Sequence, residues 1–98
     1  MRVRFEPDAA EELAEATSYL ADRSLHAAER FLADIAGAKE LLLQFPHVGS
    51  PIRGNLRRLL LRIFPYQLIY RVDGDDIRIH AVAHLKRKPE YWRKRIPR

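Results

Sequence analysis

Seven polar side chains able to grip or cut a polyanion recur through the C-terminal half: Arg58, Arg62, Gln67, Arg71, Arg78, His80 and His84. Guanidinium groups match phosphate and carboxylate oxygens in bidentate pairs. Imidazole moves a proton near neutral pH, so histidines beside a row of arginines could serve RNA cleavage through attack of a 2′-hydroxyl. The same arginines could equally grip carboxylates of a partner protein. A metal site is disfavoured, because His80 and His84 stand too far apart along a strand and no acid sits nearby to complete a ligand set. Downstream, Lys86-Arg87-Lys88-Pro89-Glu90-Tyr91-Trp92-Arg93-Lys94-Arg95 interleaves cations with two aromatics. Such a segment can neutralise phosphates and stack on bases, or use Tyr91 or Trp92 to anchor itself to the core. The residues call for no cofactor.

The charge is distributed to match. Residues 1–46 carry five Lys/Arg and nine Asp/Glu, a balance of −4, whereas residues 47–98 carry thirteen and four, a balance of +9. An asymmetry of this size points to an acidic partner or a polyanion for the second half. The absence of cysteine excludes a disulfide framework and any thiolate metal site. The first residues lack the apolar run of a signal peptide, and no stretch is apolar for long enough to span a bilayer. A cytoplasmic protein with no membrane partner is expected, and 98 residues fit one domain over 1–98.

The elements that must position these groups follow from period and punctuation. Val3 and Phe5 share one face of a short extended piece that ends at Pro7, which suits the first turn of a helix. Ala9, Leu13, Ala16 and Leu20 form one helical stripe, ending near Asp22. Ser24 is the expected N-cap of a second helix, whose stripe is Ala28, Phe31, Ile35, Ala38, Leu42 and Phe45. Gly37 inside it suggests close approach by the first helix. Beyond Pro46 the period changes to two. Leu59, Leu61 and Ile63, then Tyr66, Leu68, Tyr70 and Val72, then Ile77, Ile79, Ala81 and Ala83 alternate with polar partners. A turn at Phe64-Pro65 and a two-residue Asp73-Gly74 loop join three strands into an antiparallel meander. Pro89 opens a short final helix from Glu90 to Arg95.

Both hairpins put the apolar residues on one face, against the helical pair, and gather the arginines, Gln67, His80 and His84 on the other. That second face is expected to carry almost no acid and to be open unless something else covers it.

The order of these pieces resembles the RelE/ParE superfamily of bacterial type II toxins along essentially the whole chain. The resemblance rests on Phe5-Glu6-Pro7-Asp8-Ala9-Ala10-Glu11-Glu12-Leu13, Phe45-Pro46-His47-Val48-Gly49, Phe64-Pro65-Tyr66-Gln67-Leu68-Ile69-Tyr70-Arg71-Val72 and His84-Leu85-Lys86-Arg87-Lys88-Pro89-Glu90-Tyr91-Trp92. It implies an α+β fold, a helical hairpin packed on one face of a small, mostly antiparallel sheet with a short C-terminal helix. It also implies a growth-inhibiting toxin neutralised by a cognate antitoxin. Members of RelE type cut messenger RNA on the ribosome, whereas those of ParE type poison DNA gyrase. Gln67 stands where many RelE-like nucleases carry an arginine, and the Arg-Lys-Pro-Glu-Tyr-Trp ending looks more like ParE. Gyrase is therefore the expected target, with ribosome and messenger RNA as the alternative. If the chain is a nuclease, Arg62, His84 and Tyr91 are the catalytic candidates. Arg78, His80, Arg87, Trp92 and Arg93 are the candidates for target or nucleic-acid binding. Arg58, Leu60, Arg62, Ile69 and Arg71 are the candidates for antitoxin contact.

Overall fold

The computed structural model describes residues 1–96, and its elements form where the sequence punctuation sets them. Strand β1 (Arg2–Phe5) ends against Pro7, the first residue of helix α1 (Pro7–Arg23). Ser24 divides the helical pair by itself. Its N–H donates to the Leu20 carbonyl and ends α1, while its Oγ accepts from the Ala27 N–H and starts helix α2 (Leu25–Gln44). Strands β2 (Ser50–Pro51), β3 (Arg57–Leu60), β4 (Tyr66–Asp73) and β5 (Asp76–His84) follow, then a single 3₁₀ turn at Arg93–Arg95. The five strands make one sheet in the order β1-β5-β4-β3-β2, with β1 parallel to β5 and the other pairs antiparallel. The meander thus gains a neighbour on each side.

Both turns fall slightly away from their expected places. The β4–β5 loop is Gly74-Asp75, with Asp73 opposite Asp76, and Gly74 adopts φ 62°. The β3–β4 connection is longer than Phe64-Pro65, because β3 stops at Leu60 and the Leu61 N–H donates to the Tyr66 carbonyl. In each hairpin the pairing moves by two positions, a shift that does not by itself turn a side chain to the other face. Ile63, expected on the core face, lies past the end of β3 and is exposed.

One residue breaks that regularity. Tyr70 lies opposite Ile79 and Ile69 opposite Ala81, so His80 is an extra residue in β5, a β-bulge. Before it, Ile77 and Ile79 face the helices; after it, Val82 does, and Ala81 and Ala83 turn to the other side. His84 consequently leaves the arginine face and sets its ring edge-on to Tyr66 on the helix side, with centroids 5.0 Å apart.

The sheet therefore has a core on each face. The larger packs Ala9, Phe31, Ile35 and Leu42 of the helices against Leu68, Tyr70, Ile77 and Ile79. The smaller packs Leu56, Ile69, Ala81 and Ala83 beneath Trp92 and Ile96 of the C-terminal segment, residues 85–96. This segment is a strap and not the expected helix. Glu90 takes a left-handed φ of 57°, which an α-helix cannot accommodate.

Two expectations about α2 need correction, and one of its acids was not foreseen. Phe45 lies just past its end and is exposed. Gly37 faces open space, with nothing within 4 Å of where a Cβ would stand, and it does not admit α1. Asp34, inside the apolar stripe, is buried.

Candidate functional site

Two acids, Asp34 buried and Glu12 partly buried, hold the surfaces in shape. Asp34 accepts from the backbone N–H groups of Arg62 (3.2 Å), Ile63 (2.9 Å) and Phe64 (2.9 Å), fixing the β3–β4 loop to α2. Glu12 does the same for the strap. Its Oε1 accepts from the Val82 N–H at 3.0 Å and from Arg95 Nη2 at 2.7 Å, and its Oε2 accepts the Tyr91 hydroxyl. Arg95 Nη2 also donates to the His80 carbonyl at 3.0 Å. Burial and the bond to Glu12 push the Tyr91 phenol up to about 12. It is a structural hydroxyl near neutral pH, and no ready proton donor or acceptor.

The second face is divided by charge, which the sequence alone did not reveal. At its β1 end, acids arrive from strand ends and from the start of α1. Arg78 lies 2.9 Å from Glu6, 3.1 Å from Asp73 and 3.9 Å from Asp76. Asp76 also pairs with Arg2 and Arg4. A cleft of 340 Å³ here is lined by Glu6, Asp8, Asp73, Arg71, Arg78, Arg95 and His80. Cation and carboxylate are balanced in it, contrary to the expectation of an acid-free face.

His80 is 7% exposed and its Nε2 lacks a hydrogen-bond partner. Burial pushes its pKa below the usual histidine value, the Arg71 charge pushes it further, and Glu6 partly opposes. A neutral, covered imidazole cannot be the exposed target contact that strand alternation suggested. Trp92, 2% exposed, is likewise an anchor of the strap.

At the other end cations outnumber carboxylates among the described residues. A cleft of 320 Å³ gathers Arg58, Gln67, His84, Arg87, Lys88 and Tyr91. A second, of 660 Å³, gathers Arg53, Arg71, Arg93 and Lys94 over Leu56 and Ile96. Trp92 lines both, so they flank one buried ring. Glu90 is the acid at this end, and it already serves Arg53 at 2.8 Å and Arg93 at 3.4 Å. Arg87 stacks over the Tyr91 ring, its guanidinium carbon 3.8 Å from the centroid.

The expected sets assemble only in part. His84 and Tyr91 share a cleft, but Arg62 lies elsewhere, in a groove of 580 Å³ between α2 and β3 lined by Gly37, Leu41, Leu60 and Ile63. His84 Nδ1 accepts from the Lys86 N–H at 3.0 Å. Of the antitoxin set, Arg58, Leu60 and Arg62 are exposed at the β3 side, and Arg71 is half-buried. Ile69 is wholly buried beneath the strap and offers no surface. Arg87 and Arg93 of the target set are exposed, whereas Arg78 is committed to its carboxylates. Among the described residues no group of three His, Cys, Asp or Glu is placed to hold a metal ion, and no helix is long and apolar enough to cross a membrane.

The comparisons with known proteins agree with this architecture. A solved structure titled "Chromosomal ParDE TA system from P. aeruginosa" superimposes with a TM-score of 0.73 at 22% identity, covering 88% of this chain and 97% of that one. At that identity the likeness speaks for the fold. No curated protein matches the sequence. The family described as "ParE toxin of type II toxin-antitoxin system, parDE" matches residues 3–89. Spanning nearly all of the strands and helices that build both cores, this match identifies the chain as a member of the ParE toxin family.

Proposed function

We propose that the chain arrests growth by poisoning DNA gyrase and is neutralised by a cognate antitoxin seated on the α2–β3 groove. Family membership supports the toxin reading. The observation that favours gyrase over RNA is the dispersal of the nuclease set: Tyr91 is tied to Glu12 and Arg62 opens into a different groove from His84. General acid–base cleavage needs its donor and acceptor within reach of one scissile phosphate.

The groove suits an amphipathic acidic segment. Leu60 and Ile63 are more than half exposed there, with Arg58 and Arg62 nearby and the outer edge of β3 unpaired beyond Arg58. Inducible expression, scored for growth, SOS response and messenger integrity together, tests the target. Arrest with an SOS response and intact messages is expected. Arrest with cleaved messages and no SOS response overturns it in favour of ribosome-dependent RNA cleavage, which the gathering of His84, Arg58, Arg87 and Lys88 round one cleft would then serve. Ile63→Glu should abolish neutralisation while leaving toxicity; unchanged neutralisation removes the groove assignment.

A further inference from the structure

Beyond the target and the antitoxin, we infer that the strap is a docking surface for the phosphate backbone of duplex DNA. The charge of the second half is not spread evenly. Of its cations, Arg78 and Arg95 are spent on Glu6, Asp8, Glu12, Asp73 and Asp76, and Asp76 is shared with Arg2 and Arg4 of the first half. What remains concentrates on either side of the Trp92 ring, with Arg58, Arg87 and Lys88 on one flank and Arg53, Arg93 and Lys94 on the other. Among the described residues Arg58, Arg87, Lys88 and Lys94 make no ion pair, and Arg53 and Arg93 share one carboxylate. Repulsion within this cluster is maintained in the folded state, which is the signature of a surface kept for an anionic partner.

The chemistry around the cations selects the class of partner. An acidic protein surface would need an apolar or aromatic centre to hold it. Here the aromatic residues are withdrawn: Trp92 is 2% exposed, and Tyr91 is covered by Arg87 and bonded to Glu12. Single-stranded RNA or DNA is held by stacking bases on exposed rings, and the strap presents none. The exposed apolar side chains, Leu60 and Leu85, line the first flank only and leave the centre between the flanks, the covered Trp92, without an apolar anchor. Cations spread on both sides of such a centre match the phosphates on the outside of a duplex.

Fluorescence anisotropy of a labelled mixed-sequence duplex, titrated with the purified chain at several salt concentrations, tests this without gyrase or antitoxin. A Kd of about 10⁻⁴–10⁻⁶ M near physiological salt is expected, with a log–log salt slope between about −3.5 and −5.5 for four to six neutralised phosphates. Arg58→Gln, Lys88→Gln and Lys94→Gln alter exposed side chains, so folding is retained, and each should flatten the slope by about 1. Arg30→Gln, on the exposed side of α2, should change nothing. Absence of duplex binding at low salt overturns the inference, as does a triple variant that binds like the parent. Tighter binding of an oligothymidine strand than of the duplex also overturns it, because it would require a stacking site. The gyrase reading stands or falls separately.

Discussion

Replacing Glu12 by alanine should detach the strap and remove much of the stability of the molecule. The carboxylate is 14% exposed and meets three donors that have no other partner of equal quality. The Val82 N–H lies on the edge of β5 beyond the reach of β1, whose pairing with β5 ends at Phe5 and Ile79. Without Glu12 it is a buried orphan, at a cost of about 1–3 kcal/mol. The charge-assisted bond from Arg95 contributes about 1.5–3 kcal/mol more when intact, and its loss leaves a guanidinium without its nearest carboxylate. These terms overlap because the groups share one anchor, so the expected loss is about 3 kcal/mol, not their sum. For a chain of this size that is a large part of a total near 5–15 kcal/mol, and it lowers Tm by about 12–24 °C.

Trp92 is the single tryptophan and is the strap's own anchor in the smaller core, so its fluorescence reports this contact specifically. Urea titrations of the parent, Glu12→Ala and Glu12→Gln should be followed by Trp92 emission and helical circular dichroism together. In Glu12→Ala the Trp92 transition should move to lower urea and separate from the loss of helix, since the larger core does not depend on the strap. Glu12→Gln keeps an oxygen for Val82 and should lose about half as much, roughly 1.5 kcal/mol. A loss below about 1 kcal/mol in Glu12→Ala, with Trp92 emission unchanged, would refute the latch.

Asp34→Ala should cost about 2–4 kcal/mol, because it orphans the N–H groups of residues 62–64, and amide exchange there should quicken while the β4–β5 hairpin stays protected. Gly49→Ala should destabilise by about 1–3 kcal/mol in thermal melts, because a Cβ would stand 2.7 Å from the Tyr70 hydroxyl and 2.8 Å from the Arg58 carbonyl oxygen. Stability should fall on acidification through His80, whose neutral form is favoured by folding. The loss begins as pH drops through the unfolded value near 6.5, grows by at most about 1.4 kcal/mol per pH unit, and levels off below the folded value. His80→Gln should flatten that part of the profile of ΔG against pH; an unchanged profile would show that another group is responsible.

The helices, the three strands of the meander and their inner face as far as the bulge were legible in the sequence because period and caps are local signals. Ser24 could be named as a cap from its position between two stripes, and it serves as one. The acids that organise the surfaces were readable too, had their phase been followed. Glu12 stands three residues after Ala9 and four before Ala16, and Asp34 stands three after Phe31 and four before Ala38. Each occupies a place in an apolar stripe where solvated acids are not expected, and each is spent on backbone N–H groups that no strand partner reaches. Nine acids in the first 46 residues suggested only net charge.

What alternation could not reveal was the bulge. Hairpin rules carry a face through to the end of a strand, and a single inserted residue reverses it without any mark as strong as a glycine or proline. The mark here is a difference in size. Past His80, Val82 fills the larger core while Ala81 and Ala83 leave room for the indole of Trp92 on the other side. Filling Ala83 tests whether that room is what allows the strap to close. Ala83→Leu would place a branched side chain where Trp92 packs on a residue 1% exposed, and overpacking of this kind costs about 1–3 kcal/mol. Trp92 emission should shift toward that of exposed indole, and phosphate-backbone binding should weaken as the two basic flanks lose their common anchor. An indole that stays buried in Ala83→Leu would mean that the strap closes by its ion pairs alone, and the small residues after the bulge would then owe their size to something other than Trp92.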